Sequence, residues 1–173
     1  MRAWLAVALV GATAAGCGSA SKSPTASTGG TAHGQPVSPS AGAGAGLEIA
    51  VRRTAPFGQI LVDARRRTLY LFTRDSGPAS QCAGACARAW PPAVTSAAPR
   101  ATGGARASLL GRARRADGTT QVTYAGHPLY YFLGDRSRGD INCQNATEFG
   151  GTWLLVDPSG RAIHKNAPPC PKP

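Results

Sequence analysis

One seven-residue pattern occurs twice in this 173-residue chain, 60 residues apart, and it constrains the fold more than any other feature. Leu69-Tyr70-Leu71-Phe72-Thr73-Arg74-Asp75 and Leu129-Tyr130-Tyr131-Phe132-Leu133-Gly134-Asp135 share L-Y-x-F-x-x-D. Upstream, Val62 and Val122 keep the same offset. Downstream, each copy reaches a tryptophan, Trp90 or Trp153, lying 20 and 23 residues after its motif tyrosine. Tyr70 and Phe72, like Tyr130 and Phe132, are two apart, so on a strand they share one face and read as core aromatics. Asp75 and Asp135 are each followed within two residues by Ser or Gly and read as acceptors for turn backbone amides.

The pattern around the motifs is that of β structure. Residues 60–62, a polar turn through 63–67 and residues 69–72 form an expected hairpin. The second copy repeats it with residues 121–124, a tight link at 125–127 and residues 129–132. Asp117-Gly118 is a strong turn signal, so residues 109–115 supply a preceding strand. Residues 153–156, a turn at 157–160 and residues 161–163 make a last hairpin. Residues 81–89 are alanine-rich and favour a short helix stopped by Pro91-Pro92. Residues 95–107 are small and polar and read as a loose loop between the copies. The expected fold is mainly β: two hairpin-rich repeats, about 58–94 and 119–157, in one small domain with a short Cys-bearing helix.

Together the stretches L-V-D-x-x-x-x-T-L-Y-x-F-x-x-D, C-x-G-x-C-A-x-x-W-P-P, R-A-D-G-x-x-Q-V-T-Y-x-G-x-P-L-Y-Y-F-x-G-D and F-G-G-x-W resemble one family. It is the predicted bacterial lipoproteins with a Yx(F/W/Y)xxD motif, also described as a secreted repeat of unknown function. The resemblance runs from about residue 58 to 163 and implies secretion, frequent lipidation and a two-copy repeat, with no established activity. Its motif residues here are Tyr70, Phe72, Asp75, Trp90, Tyr130, Phe132, Asp135 and Trp153. Cys143 stands where the family pattern leads one to expect glycine. The family is common in actinobacteria, and 16 arginines against 3 lysines agree with a GC-rich genome.

The N-terminus reads as an address. Met1-Arg2 precedes an uncharged apolar run over residues 4–15, too short to span a bilayer but suited to a signal-peptide core. The run ends in Ala14-Ala15-Gly16-Cys17, which resembles a lipobox with alanine in place of the usual leucine. Residues 1–16 are thus the expected lipoprotein signal peptide and Cys17 the expected lipidation site. Residues 17–46 form a flexible Ser/Gly/Ala/Pro tether with a typical reach of roughly 30 Å. The single domain then occupies residues 47–173, on the outer face of the bacterial cytoplasmic membrane. Only 23 of its 127 residues are Leu, Ile, Val or Phe, and it carries 17 basic against 8 acidic residues. That composition lies close to that of unfolded chains, so the six Tyr and Trp of this stretch, with any disulfides, must matter to stability.

Outside the cytoplasm disulfides are allowed. With Cys17 lipidated, Cys82, Cys86, Cys143 and Cys170 have three possible connectivities. The favoured one pairs Cys82 with Cys86, four apart on the expected helix, and Cys143 with Cys170. On the loop-entropy model the longer crosslink contributes roughly 3 kcal/mol and the short one little. A small, strained loop is also what a labile disulfide looks like, so redox exchange at Cys82/Cys86 is the alternative to a structural staple. A metal set of Cys82, Cys86, His127 and His164 has no supporting spacing, and no metal or other cofactor is expected. No nucleophile elbow, zinc-protease helix or phosphate loop is present, so no enzyme activity and no catalytic residue is expected. Asp135 and Asp140, with Arg136 and Arg138 between them, read as a salt-bridged turn.

Positive charge is clustered at Arg52-Arg53, Arg65-Arg66-Arg67, Arg112 with Arg114-Arg115, and Arg136 with Arg138. Arg65, Arg66 and Arg67, in an expected hairpin tip, are the candidates for binding an anion. The partners to expect are the membrane through the lipid on Cys17, and an anionic wall polymer or phospholipid headgroups through the arginines. Nucleic acid is not expected. The favoured function is a non-catalytic cell-envelope binding module; the alternative is a thiol–disulfide or electron-transfer protein.

Overall fold

The computed structural model describes residues 46–167 and Cys170. The elements, in chain order, are β1 (Glu48–Thr54), β2 (Gly58–Asp63), β3 (Tyr70–Phe72), α1 (Ala85–Ala89), β4 (Arg100–Ala101), a 3-10 turn (Ala107–Leu109), β5 (Leu110–Arg114), β6 (Thr120–Tyr124), β7 (His127–Pro128), β8 (Ala146–Glu148), β9 (Gly151–Val156) and β10 (Ala162–Ile163). They make three small sheets, ordered β2-β1-β4, β5-β6-β7 and β10-β9-β3 with β8 also on β9. The fold is mainly β, as the alternation along the chain predicts.

Each copy opens on a hairpin, β1/β2 in the first and β5/β6 in the second. β1 carries Arg52 and Arg53 and lacks a clean local strand signal. The 60-residue offset, which carries β1 almost onto β5, was the signal for it. The expected hairpin of residues 60–62 with 69–72 is corrected. It closes only at its neck, through one bridge between Val62 and Thr68 and the Leu69 amide on the Leu61 carbonyl (3.2 Å). The motif strand then leaves its own copy.

Where it goes defines the molecule. β3 pairs antiparallel with β9 of the second copy, setting Tyr70 opposite Leu155 and Phe72 opposite Trp153. In the second copy, Tyr131 donates to the Pro91 carbonyl (2.8 Å) and Leu133 to that of Ala89 (3.0 Å), so its motif strand runs along the tryptophan segment of the first. Where the two motif strands cross, Tyr70 and Tyr130 exchange both backbone hydrogen bonds, each 2.9 Å. The side chains are exchanged as well. Tyr70 donates its hydroxyl to Asp135 Oδ2 (2.8 Å), and Tyr130 donates to Asp75 Oδ2 (2.7 Å). The tyrosine of each motif is satisfied by the aspartate of the other.

The core follows the same pseudo-two-fold. Phe72, Trp153, Trp90 and Phe132 stack in that order, with centroid separations of 4.1, 4.0 and 4.6 Å. Tyr70 meets Trp90 edge-on at 5.2 Å and Tyr130 meets Trp153 edge-on at 5.1 Å, the arrangement that places a positive ring edge on a negative face. Trp90 donates its indole N–H to Glu148 (2.9 Å), whereas the buried Trp153 indole has no acceptor among the described residues. The other face of both motif strands is buried too, as Leu69, Leu71, Leu129 and Tyr131 pack with Ile49, Leu61, Val122, Tyr124, Leu154 and Val156. Eight buried aromatic side chains thus supply much of the interior that few aliphatic residues could fill.

Three further expectations change. Residues 95–107 are not loose, because the Arg100 and Thr102 amides donate to the Leu47 and Ile49 carbonyls (both 2.9 Å) and β4 lies parallel to β1. The helix is shorter than residues 81–89, since Gly84 takes a left-handed φ of 56° and starts α1 only after it. Cys82 therefore precedes the helix, and its bond to Cys86 spans a turn rather than one helical face. Both favoured disulfides are present, with Cα separations of 5.2 Å for Cys82–Cys86 and 4.5 Å for Cys143–Cys170.

The exchange gives a thermodynamic expectation. Tyr70→Phe leaves the Asp135 carboxyl without its hydroxyl donor, at a cost of about 1–3 kcal/mol. In double-mutant cycles read by urea unfolding, Tyr70 should couple to Asp135 and not to Asp75 of its own motif. Coupling confined to a motif's own aspartate would contradict the exchanged arrangement.

Candidate functional site

The candidate site is built on the turn that carries Arg65, Arg66 and Arg67. Asp63 pins it from beneath: its Oδ1 accepts the amides of Arg65 (2.9 Å) and Arg67 (2.8 Å), and its main chain exchanges bonds with Arg66 and Arg67. Arg66 sits at a left-handed φ of 64°. Arg65 and Arg66 are exposed. Arg67 differs: it is half-buried, with its guanidinium 3.7 Å from the centroid of the Tyr131 ring. Tyr131 in turn donates its hydroxyl to Asp63 Oδ2 (3.1 Å), and burial raises its pKa. Arg67 is thus a cation laid on an aromatic face, with part of its surface spent on packing.

Two other arginine clusters converge on this turn. The Gly139 amide donates to the Arg66 carbonyl (2.9 Å), and the Thr68 hydroxyl to that of Asp140 (2.6 Å). Arg52, reaching across from β1, donates Nη2 to the Gly139 carbonyl (2.9 Å). Its guanidinium lies so close that a Cβ at Gly139 would come within 2.7 Å of Nη1, and Gly139 itself has a φ of 84°. The loop bearing the exposed Arg136 and Arg138 is therefore fastened directly to the turn bearing Arg65 and Arg66. Sequence spacing separates these groups by up to 86 residues; backbone hydrogen bonds put them at one end of the domain.

The carboxylates at this end do not neutralise it by pairing. Asp63 is engaged as described, and Asp140 accepts the Ser137 amide (2.8 Å). The expected salt-bridged turn of Asp135 and Asp140 with Arg136 and Arg138 is therefore corrected: among the described residues the ion pairs are Arg100–Glu48 and Arg115–Asp117. Asp135 accepts the Asn142 amide on Oδ1 (2.9 Å), as expected of a turn aspartate, and its second oxygen takes Tyr70. Burial pushes its carboxyl up to about 6, against the pull of those donors and of Arg67.

The pseudo-symmetric position in the first copy has a different environment. Asp75 accepts Gln81 N (2.7 Å) and the Tyr130 hydroxyl, which also meets Ser80 (2.7 Å). Arg115 is not a surface cation. It is buried, bonding Ser80 and Gln121 through Nη1, the Cys82 carbonyl through Nη2 and Asp117 through Nε. Nothing in the sequence separates it from Arg112 and Arg114. It lines a cavity of about 140 Å³ together with Ser80, Cys82, Ala83, Gly84, Ala87, Ala116 and Asp117. Cys82 and Cys86 are only 1% and 6% exposed, which favours the staple over exchange with a partner protein's thiol. His127 is half-buried in β7 rather than free in a turn, and Cys17 lies outside the described residues.

Structurally, then, this is a small disulfide-stapled β domain made of two exchanged copies of one unit, with arginines gathered at one end. The chain belongs to a family described as a secreted repeat of unknown function, whose two matched stretches, residues 51–94 and 111–157, cover more than half of it. Both begin inside the opening strands β1 and β5, so the repeat unit includes the hairpin strand that precedes the motif. A secreted family places the domain outside the cytoplasm. No curated protein and no solved structure matches the chain.

The raised carboxyl of Asp135 predicts a pH dependence. An unfolded aspartate titrates near 3.9, so between about pH 4 and pH 6 the folded chain holds more protons than the unfolded one. Stability contributed by the neutral carboxyl is full below that window and is lost as pH rises through it. Asp75, also raised by burial, acts in the same direction. In Asp135→Asn the urea midpoint should fall less across this window than in the parent. An unchanged fall would assign the effect elsewhere.

Proposed function

We propose that the protein is a non-catalytic binding module of the cell envelope, anchored to the outer face of the cytoplasmic membrane through lipid on Cys17. Its basic end takes a phosphate-bearing envelope surface. The observation that carries this reading is the convergence of Arg52, Arg65-Arg66-Arg67 and Arg136/Arg138 through the hydrogen bonds of Gly139 and Thr68. Phosphate is the ligand chemistry that suits such an end. Guanidinium groups bind phosphate in a fork geometry, and a cluster of them gains by simultaneous contact with a polyanion. The four exposed arginines stand on two short loops fastened to each other, so less motion is lost on binding than from a free basic tail. A teichoic-type polymer and an anionic lipid headgroup share this chemistry.

The test uses the chain with Cys17→Ser, so that no lipid contributes. Binding is measured to soluble poly(glycerol phosphate), to phosphatidylglycerol vesicles and to phosphatidylcholine vesicles. Affinity for at least one of the two phosphate-rich probes should fall steeply between about 0.05 and 0.5 M salt, as charge pairs become screened. Replacing Arg65, Arg66, Arg136 and Arg138 by Gln together should remove about 4 kcal/mol at an anionic membrane surface, roughly 1 kcal/mol per charge. Cys82→Ser/Cys86→Ser should bind as the parent does. Indifference to both phosphate probes, or full binding by the quadruple variant, would overturn the reading. The polymer and vesicle arms show which source of phosphate is preferred.

A further inference from the structure

The hairpin joining β8 to β9 turns on two residues, Phe149 and Gly150, between the paired Glu148 and Gly151. Both stand at positive φ, 55° and 78°, the pattern that Asn-Gly or Asp-Gly fills without strain and that a bulky side chain resists. The other two-residue turn of this kind, at Ala125-Gly126, carries a side chain of one carbon. At 42% exposure Phe149 is poorly compensated by burial, and among the described residues it is the exposed aromatic. Folding alone would select a different residue here.

The tip is nevertheless held. Arg74 donates Nη1 to the Phe149 carbonyl (3.0 Å), and its guanidinium lies against Gly150. One rung below, Thr147 pairs with Thr152, their hydroxyls 3.4 Å apart, and Thr73, just past the end of β3, accepts the Thr152 amide on its hydroxyl (2.8 Å). Along the hairpin from the displayed ring there are thus three neighbouring threonine hydroxyls, on β8, on β9 and at Thr73 just past the end of β3, and the exposed Arg74.

We propose that this tip is a carbohydrate-contact site, taking a neutral pyranose of an envelope glycan. A sugar ring presents C–H bonds on one face and hydroxyls around its edge. The C–H face, weakly positive, suits the negative face of the Phe149 ring. The hydroxyl edge needs groups that both donate and accept, which threonines supply, with Arg74 as a further donor. A protein hot spot would need a broader apolar surround than a single ring among threonines. The site does not depend on the basic end, and a neutral ligand keeps the two apart experimentally.

The test titrates the full chain with neutral chitin, cellulose and mannan fragments, following the ring signals of Phe149 and the methyl signals of Thr73, Thr147 and Thr152 by NMR. At least one fragment should move these signals, with an affinity unaffected by salt. Phe149→Gly should weaken that binding by about ten-fold or more while leaving the melting temperature equal or higher. Phe149→Trp should retain binding. The proposal is overturned if no fragment moves the signals, if Phe149→Gly binds as well as the parent, or if that variant loses stability and so shows the ring to be a folding residue. Loss of phosphate binding in the arginine variant would leave these outcomes untouched.

Discussion

Two tyrosine–aspartate hydrogen bonds, made reciprocally between the copies, are the constraint on which the rest of the molecule depends. Tyr70 reaches Asp135 and Tyr130 reaches Asp75 across the point where the two motif strands exchange backbone bonds. A buried hydroxyl or carboxyl without a partner is costly, so each motif is complete only in the presence of the other. The same exchange lays the tryptophan of one copy against the phenylalanine of the other and produces the four-ring stack. Neither copy holds a core by itself, which explains how a chain poor in aliphatic residues closes an interior.

The two ends of this core then diverge. On one side Arg115 is drawn inside, satisfied by Ser80, Gln121 and the Cys82 carbonyl, beside a disulfide that fixes the start of α1. On the other, Asp63 and Gly139 order two loops so that Arg65, Arg66, Arg136 and Arg138 face solvent, with no carboxylate partner among the described residues. Related sequence thus yields one structural arginine at one end and an exposed basic surface at the other. The difference comes from what packs against each turn: Ser80 and the chain before α1 in the first copy, and the loop of Arg136 to Asp140 in the second.

Part of this was legible beforehand because its signals are local. The L-Y-x-F alternation specifies strand and face, Asp157-Pro158-Ser159-Gly160 specifies the last turn, and the pairing of Cys143 with Cys170 follows once Cys82 and Cys86 are seen as neighbours. The errors share one cause. A hairpin between residues 60–62 and 69–72 is the nearest pairing in sequence, and nothing local says that β3 will prefer β9. Arg115 is indistinguishable from Arg112 and Arg114 until Gln121 and Ser80 are placed. The left-handed turn at Phe149 is likewise invisible, because the sequence Glu-Phe-Gly-Gly contains no residue that demands it.

The sequence by itself determined that there are two copies, that they are β, that their aromatic residues face inward, and that arginine is abundant. Each of these is a property of short stretches, set by the period of the strand and by turn chemistry. Only the tertiary structure decided that the copies exchange strands and hydrogen bonds, because that choice compares pairings between segments some 40 to 85 residues apart. Which arginines gather into a surface, and which one is buried, follows from that choice.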